Sequence, residues 1–189
     1  MVNCEPARKR PSFRIRFGRN QRGATAVEFA LIAVPFLGLR AGILELGLLF
    51  MGSVTLDNAM NAASRRIRTG ELTSSATATS AQKETSRQAF RAEICSKMGF
   101  LESDCLAKLS IDVKTVTSFD SIALNSPIKS GVFDPGSLTF EPGTGGSLVM
   151  VTAYYRWTMI MPLMNQALQR LPGETLLTSV LTFRNEPFA

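Results

Sequence analysis

Histidine is absent from the 189 residues, tryptophan occurs once, tyrosine twice and cysteine three times. Each shortage closes a class of chemistry. Without an imidazole there is no Ser-His-Asp or Cys-His nucleophilic site. Three cysteines with no C-x-x-C spacing and no histidine beside them exclude the usual zinc sets. The chain contains no G-x-S-x-G, no G-x-G-x-x-G and no Walker-type loop. Gly143-Thr144-Gly145-Gly146 is glycine-rich but is not followed by Lys-Ser/Thr, so it does not read as a phosphate cradle. The carboxylates are scattered, and the close pair Glu102 and Asp104 reads as solvated surface. The chain is expected to be no enzyme, with no metal and no cofactor.

Acidic residues are also scarce, 15 against 21 Lys and Arg, for a net charge of +6. The imbalance is local. Arg8, Lys9, Arg10, Arg14, Arg16, Arg19 and Arg22 face Glu5 alone in residues 1–23, and the remaining 14 basic residues are matched by 14 acidic ones. The basicity belongs to a leader, not to a nucleic-acid-binding domain, and no nucleic-acid partner is expected. Its meaning is topological, because Lys and Arg flanking a membrane span stay in the cytoplasm. Arg65, Arg66 and Arg68 beyond the span oppose this but are outnumbered.

What is present in quantity is apolar sequence. Phe29 to Met51 is almost uncharged, and about 20 helical residues cross a hydrocarbon core of ~30 Å. A secretory signal peptide is the rival reading, but its apolar region would be about 7–15 residues with a small-x-small cleavage site behind it. Here the run is longer, and Leu48-Leu49-Phe50-Met51-Gly52-Ser53-Val54 offers no clean site. Glu28, Arg40 and Glu45 are charged residues on or in this span, and such residues usually face protein rather than lipid. Arg40 and Glu45 are five apart, a poor spacing for a bond within one helix. Arg40 either snorkels or meets a carboxylate on a partner helix.

Leu56, Ala59, Met60, Ala63 and Ile67 continue as one helical face, with Gly70 as the stop. One helix is therefore expected from Ala24 to Thr69, with Pro35 a possible kink. Residues 72–81 are Ser, Thr and Ala, a linker. Phe90, Ile94 and Met98 mark a helix over 82–98. Ser110–Val116 alternates as a half-buried strand, 117–146 reads as mostly loop, 147–157 as a second strand, 163–171 as a short helix and 175–184 as a third strand. The fold class is α+β: a long N-terminal transmembrane-plus-amphipathic helix packed on a small antiparallel sheet. Four segments follow: a basic cytoplasmic leader 1–23, a transmembrane helix 24–51, an amphipathic extension 52–70 and an exported α+β domain 71–189. Cys4 stays in the reducing compartment. Cys95 and Cys105 reach the oxidising one, where a single disulfide between them is expected.

The junction before the span has its own chemistry. A peptidase cutting after Gly23 needs an unhindered, extended backbone, which glycine permits. Cutting leaves Ala24 with a new ammonium, and the Glu28 carboxylate lies one turn into the helix, near its positive end. In a stagger of identical helices, Glu28 of one subunit meets the Ala24 ammonium of its neighbour.

Gly23-Ala24-Thr25-Ala26-Val27-Glu28-Phe29 resembles the prepilin processing site of type IV pilins. Arg22 to Leu31, then Pro35 and Ile43-Leu44-Glu45-Leu46-Gly47, resemble the TadE-like pseudopilin family of the tight-adherence (Flp pilus) system. The Asn58–Arg65 stretch and the closing Arg184-Asn185-Glu186-Pro187-Phe188 fit it as well, whereas Arg40 departs from it. The resemblance implies a pilin-like fold and a minor component of pilus assembly, cut between Gly23 and Ala24 by a prepilin peptidase. Glu28 and Phe29 would serve assembly. The implied partners are that peptidase, other pilin-like subunits, the inner-membrane assembly platform and lipid. The implied location is a bacterial inner membrane, single-pass, with the N-terminus cytoplasmic and the C-terminal domain periplasmic. The alternative is a single-pass anchored periplasmic binding module that is never processed.

Overall fold

The computed structural model describes residues 23–72, 79–118, 126–161, 164, 168 and 170–187. The chain divides into two units, Met1–Arg40 and Ala41–Ala189, each taken here by itself. Helix α1 runs from Ala24 to Arg68 with Pro35 inside it, so the single long helix expected from the sequence is present. In the first unit its side chains are bare: Phe29, Leu31, Ile32, Val34, Phe36, Leu37 and Leu39 are all 59–74 % exposed. In the second unit Leu56, Ala59, Met60, Ala63 and Ile67 are buried, each at most 1 % exposed. A fully buried side chain of the Leu, Ile or Met size contributes ~1.5–3 kcal/mol, so this face holds the helix on the sheet. Arg65, Arg66 and Arg68 occupy the last turn, where the dipole favours cations. Gly70 then takes φ 84° and closes the end with N–H bonds back to the helix.

Among the described residues the main sheet has three antiparallel strands in the order β1-β4-β5: β1 Leu109–Val116, β4 Leu148–Thr158 and β5 Glu174–Arg184. β1 pairs with β4 from Leu109↔Tyr155 to Val116↔Leu148, and β4 with β5 from Leu148↔Arg184 to Thr158↔Glu174. Ile111, Val113, Val149, Val151, Ala153 and Tyr155 form the core face with the α1 stripe and with Phe90 and Ile94 of helix α2, Ser80–Ser96. The α+β class and the three strands stand as expected.

Four local expectations change. First, α2 starts inside the supposed linker. Thr79 caps it, accepting from Gln82 N–H while the Gln82 side chain accepts from Thr79 N–H, a Thr-x-x-Gln capping box that composition alone hides. Residues 73–78 of that linker lie outside the described residues. Second, Glu102 and Asp104 are exposed, as expected, but they open a helix, α3, Glu102–Lys108, where their charge suits its N-terminus. Third, the polar face of β1 is not solvated. Asp112 is buried and accepts from both Thr139 N–H (2.7 Å) and Thr139 Oγ1 (3.1 Å), with Lys114 Nζ at 2.7 Å. Fourth, the loop over 117–146 is built into that cover. A hairpin, β2 Ile128–Lys129 and β3 Val132–Phe133, brings Phe133 within 6.3 Å of Tyr154. Residues 139–141 then run beside β1 through Val113 N–H to Thr139 O and Glu141 N–H to Val113 O. Burial, with Asp112 nearby, pushes the Tyr154 hydroxyl above its ordinary pKa. Residues 119–125, and most of the short helix expected over 163–171, lie outside the described residues.

The glycine-rich turn is structural. Gly143 has φ 73°, and a Cβ there would lie 2.7 Å from the Thr115 methyl. Asn185 is buried and donates to the carbonyls of Pro142 and Thr144, while Glu186 N–H reaches Arg68 O at 2.9 Å. The closing Arg-Asn-Glu-Pro phrase thus fastens the end of β5 to the end of α1.

Cys95 and Cys105 are joined, with Cα atoms 5.5 Å apart, and both are buried. The bridge locks α2 to α3, helped by an Arg91 guanidinium bond to the Leu106 carbonyl. Closing so short a loop is worth ~2–3 kcal/mol in the chain-entropy model. Cys95→Ser is expected to lower the unfolding free energy of the detergent-solubilised protein by at least that ~2–3 kcal/mol. The check is its denaturation midpoint beside that of the reduced, unsubstituted chain, which should shift similarly.

Candidate functional site

Two places on α1 hold the charged residues singled out by the sequence. The first is its beginning. Gly23, Ala24 and Glu28 are exposed and Phe29 is 74 % exposed. A Cβ at Gly23 would meet nothing within 4 Å. Glu28 has no hydrogen bond or ion pair among the described residues. A carboxylate without a partner on an otherwise apolar helical surface is costly in lipid and calls for one. Arg40, also exposed, has no ion pair among the described residues either. Only 6 % of the most apolar 18-residue window of α1 is buried. This surface is therefore not that of a core helix, and the helix is long and apolar enough to cross a membrane.

The second place is Glu45, and here the structure adds what the sequence did not disclose. Glu45 is only 2 % exposed. Its two carboxylate oxygens divide the work: Oε1 accepts from Ile160 N–H at 2.6 Å and Oε2 from Met161 N–H at 3.0 Å. These are the amides at the exit of β4, past the last ladder pair at Thr158. Hydrogen bonds to an ionised acceptor are about twice as strong as neutral ones. Glu45 therefore acts as a clamp between the helix and the strand end.

Its neighbours along the helix explain how the backbone comes so close. A Cβ at Gly42 would meet Met164 Sδ at 3.7 Å, and one at Gly52 would lie 3.2 Å from both Leu177 Cδ1 and Trp157 Cζ3. Leu49 packs against the core between them. Positions 42, 45, 49 and 52 fall on one helical face and run into 56, 59, 60, 63 and 67. The contact stripe thus starts at Gly42 rather than Leu56. Two of its first four members are glycine and one is a carboxylate, so a hydrophobic period does not register them. The spacing of small residues was the available signal. Gly38, one turn before Gly42, has nothing within 4 Å of the position a Cβ would take.

The arrangement defines a class first: an α+β protein organised on one N-terminal helix able to span a membrane. Residues 23–65 match the family model for TadE-like protein, so the stretch from Gly23 through Glu45 and the upper contact stripe is where the chain is similar to that family. No curated protein and no solved structure matches the chain.

Glu45→Ala leaves two N–H groups without acceptors, a loss of ~1–3 kcal/mol for each buried group. Amide exchange at Ile160 and Met161 is expected to accelerate by at least ~10-fold, the equivalent of ~1.4 kcal/mol. Glu45→Gln, which keeps one acceptor oxygen, should fall between. Mass-spectrometric hydrogen exchange of the peptide carrying both residues reads the effect.

Proposed function

We propose that the chain is a minor, pilin-like component of a tight-adherence pilus assembly system, processed by a prepilin peptidase between Gly23 and Ala24. The observation that carries this reading is the coincidence of three boundaries at one residue. The TadE-like match begins at Gly23, the helix begins at Ala24, and the basic leader ends at Arg22. The association of TadE-like proteins with tight-adherence systems extends the reading to a pilus.

The chemistry follows from the residues. Removal of the leader discards its excess positive charge and creates an ammonium on Ala24. The Glu28 carboxylate, one helical turn on, is the free partner for an ammonium on an adjoining subunit, and the bare surface from Val27 to Leu39 supplies the lateral contacts. The basic leader holds the N-terminus in the cytoplasm of an inner membrane, and the disulfide-bonded domain lies on the periplasmic side. The role is structural, and the bond-breaking chemistry belongs to the peptidase. Partners are that peptidase, other pilin-like subunits and the assembly platform.

The mature protein isolated from its own membrane should begin at Ala24 in the presence of the peptidase and at Met1 in its absence. Intact Met1 in both strains, read by N-terminal mass spectrometry, would leave an unprocessed anchored binding module. Glu28→Ala is expected to leave membrane insertion intact and to abolish pilus assembly, scored by membrane fractionation and by electron microscopy of the cell surface. Normal piliation in that variant refutes the assembly role of the carboxylate.

A further inference from the structure

We infer that the exit of β4, residues 159–161, is a second membrane-contacting element: it sits in the outer boundary of the bilayer, and Glu45 tethers it there. The inference rests on the proposed membrane span and adds to it a lipid surface as the partner of the exported domain.

Three observations converge. The first is level. A helix entering hydrocarbon at Ala24 uses about 20 residues to cross it, which brings its exit close to Glu45. The second is continuity of apolar surface. On α1, Ile43, Leu44 and Leu46 flank Glu45 and are 60 %, 62 % and 47 % exposed. Ile160, whose N–H is bonded to that same carboxylate, is 66 % exposed. One bare isoleucine on a soluble surface is ordinary. One whose amide is tied to Glu45 lies at the helical level of those exposed apolar residues. The third is the clamp itself. In water the N–H groups of Ile160 and Met161 would need no carboxylate. At the edge of hydrocarbon an unsatisfied backbone N–H costs several kcal/mol, and irregular backbone is tolerated only where it is satisfied. Glu45 supplies both acceptors from the helix, which gives a reason for an ionisable residue in an otherwise apolar stretch.

The neighbouring chain fits that level. Met164 Sδ approaches Gly42, three residues further toward the N-terminus of α1. Phe100, half exposed, lines a small cavity with Trp157 and Thr158, just before the exit. Val132, 66 % exposed on the β2–β3 hairpin, serves as the reference position.

The test uses the full chain, purified and reconstituted in phosphatidylcholine–phosphatidylglycerol vesicles. Cys4→Ser removes the free thiol and the Cys95–Cys105 bridge is kept oxidised. A nitroxide is then placed by cysteine substitution at Ile160, Phe36 or Val132, and its collisions with oxygen and with a water-soluble nickel chelate are compared by electron paramagnetic resonance. Position 36 reports the span itself. The expected result is oxygen-dominated relaxation at 36, nickel-dominated relaxation at 132, and an oxygen-to-nickel ratio at 160 several-fold above that at 132. A ratio at 160 equal to that at 132, with 36 still in lipid, overturns the inference and leaves the span standing. A label at 160 shielded from both reagents means that protein covers it and likewise overturns the inference. Nickel-dominated relaxation at 36 removes the span and the inference together. Adding Glu45→Ala to the label at Ile160 should raise its nickel accessibility without moving position 36, an effect that a merely exposed isoleucine would not show.

Discussion

Two backbone N–H groups and one carboxylate decide how this molecule is put together. When β4 leaves its ladder after Thr158, the amides of Ile160 and Met161 need acceptors, and the Glu45 side chain of α1 supplies both. A charge-assisted pair of bonds of this kind is directional. It fixes not only that strand and helix meet but at which turn of the helix they do so. The rest of the packing follows from that register: Gly52 receives Trp157 and Leu177, and Leu56 to Ile67 cover the sheet behind them. At the opposite end of the contact, Glu186 N–H to Arg68 O and the Arg68 guanidinium over the Phe183 ring, 5.3 Å from its centroid, close the seam.

α1 therefore uses its surface differently along its length. From Val27 to Leu39 its apolar side chains are bare, fitting lipid or sister helices. From Gly42 onward one face belongs to the C-terminal α+β domain. In the proposed pilin-like role the free carboxylate is Glu28 and the occupied one is Glu45. Their surroundings separate two charges that look alike in an apolar run: one has no acceptor or donor to satisfy locally, and the other is spent on backbone. The domain carried by the helix is reinforced where its own core is thin. Three strands with an apolar face are about the minimum for an independently stable sheet, and here the disulfide, the capped helix α2 and the cover over Asp112 add to it.

Much of this was legible before any coordinates. The apolar run, the periodic face from Leu56 to Ile67, the three strands and the pairing of Cys95 with Cys105 rest on local signals: a period, a propensity, two cysteines close together beyond the apolar run. The misses are equally specific. The start of α2 was hidden because Thr79 and Gln82 act by geometry within a stretch whose composition reads as linker. Asp112 looked solvated because alternation tells which side chains share a face, not whether another segment will cover that face. Residues 139–141 do so from 27 positions away along the chain. The partners of Glu45 stayed hidden because they are backbone amides, which leave no mark in a sequence.

The order of residues by itself determined that there is, among the described residues, one spanning-length helix, with a basic leader before it and an α+β unit behind, because each of these depends on neighbours within a few turns or strands. Which face of α1 meets the sheet, where that contact begins, and that Glu45 is satisfied by the exit of β4 were decided only in three dimensions. Those facts depend on groups more than a hundred residues apart, and the closest approaches run through glycine and main-chain atoms that carry no hydrophobic signature.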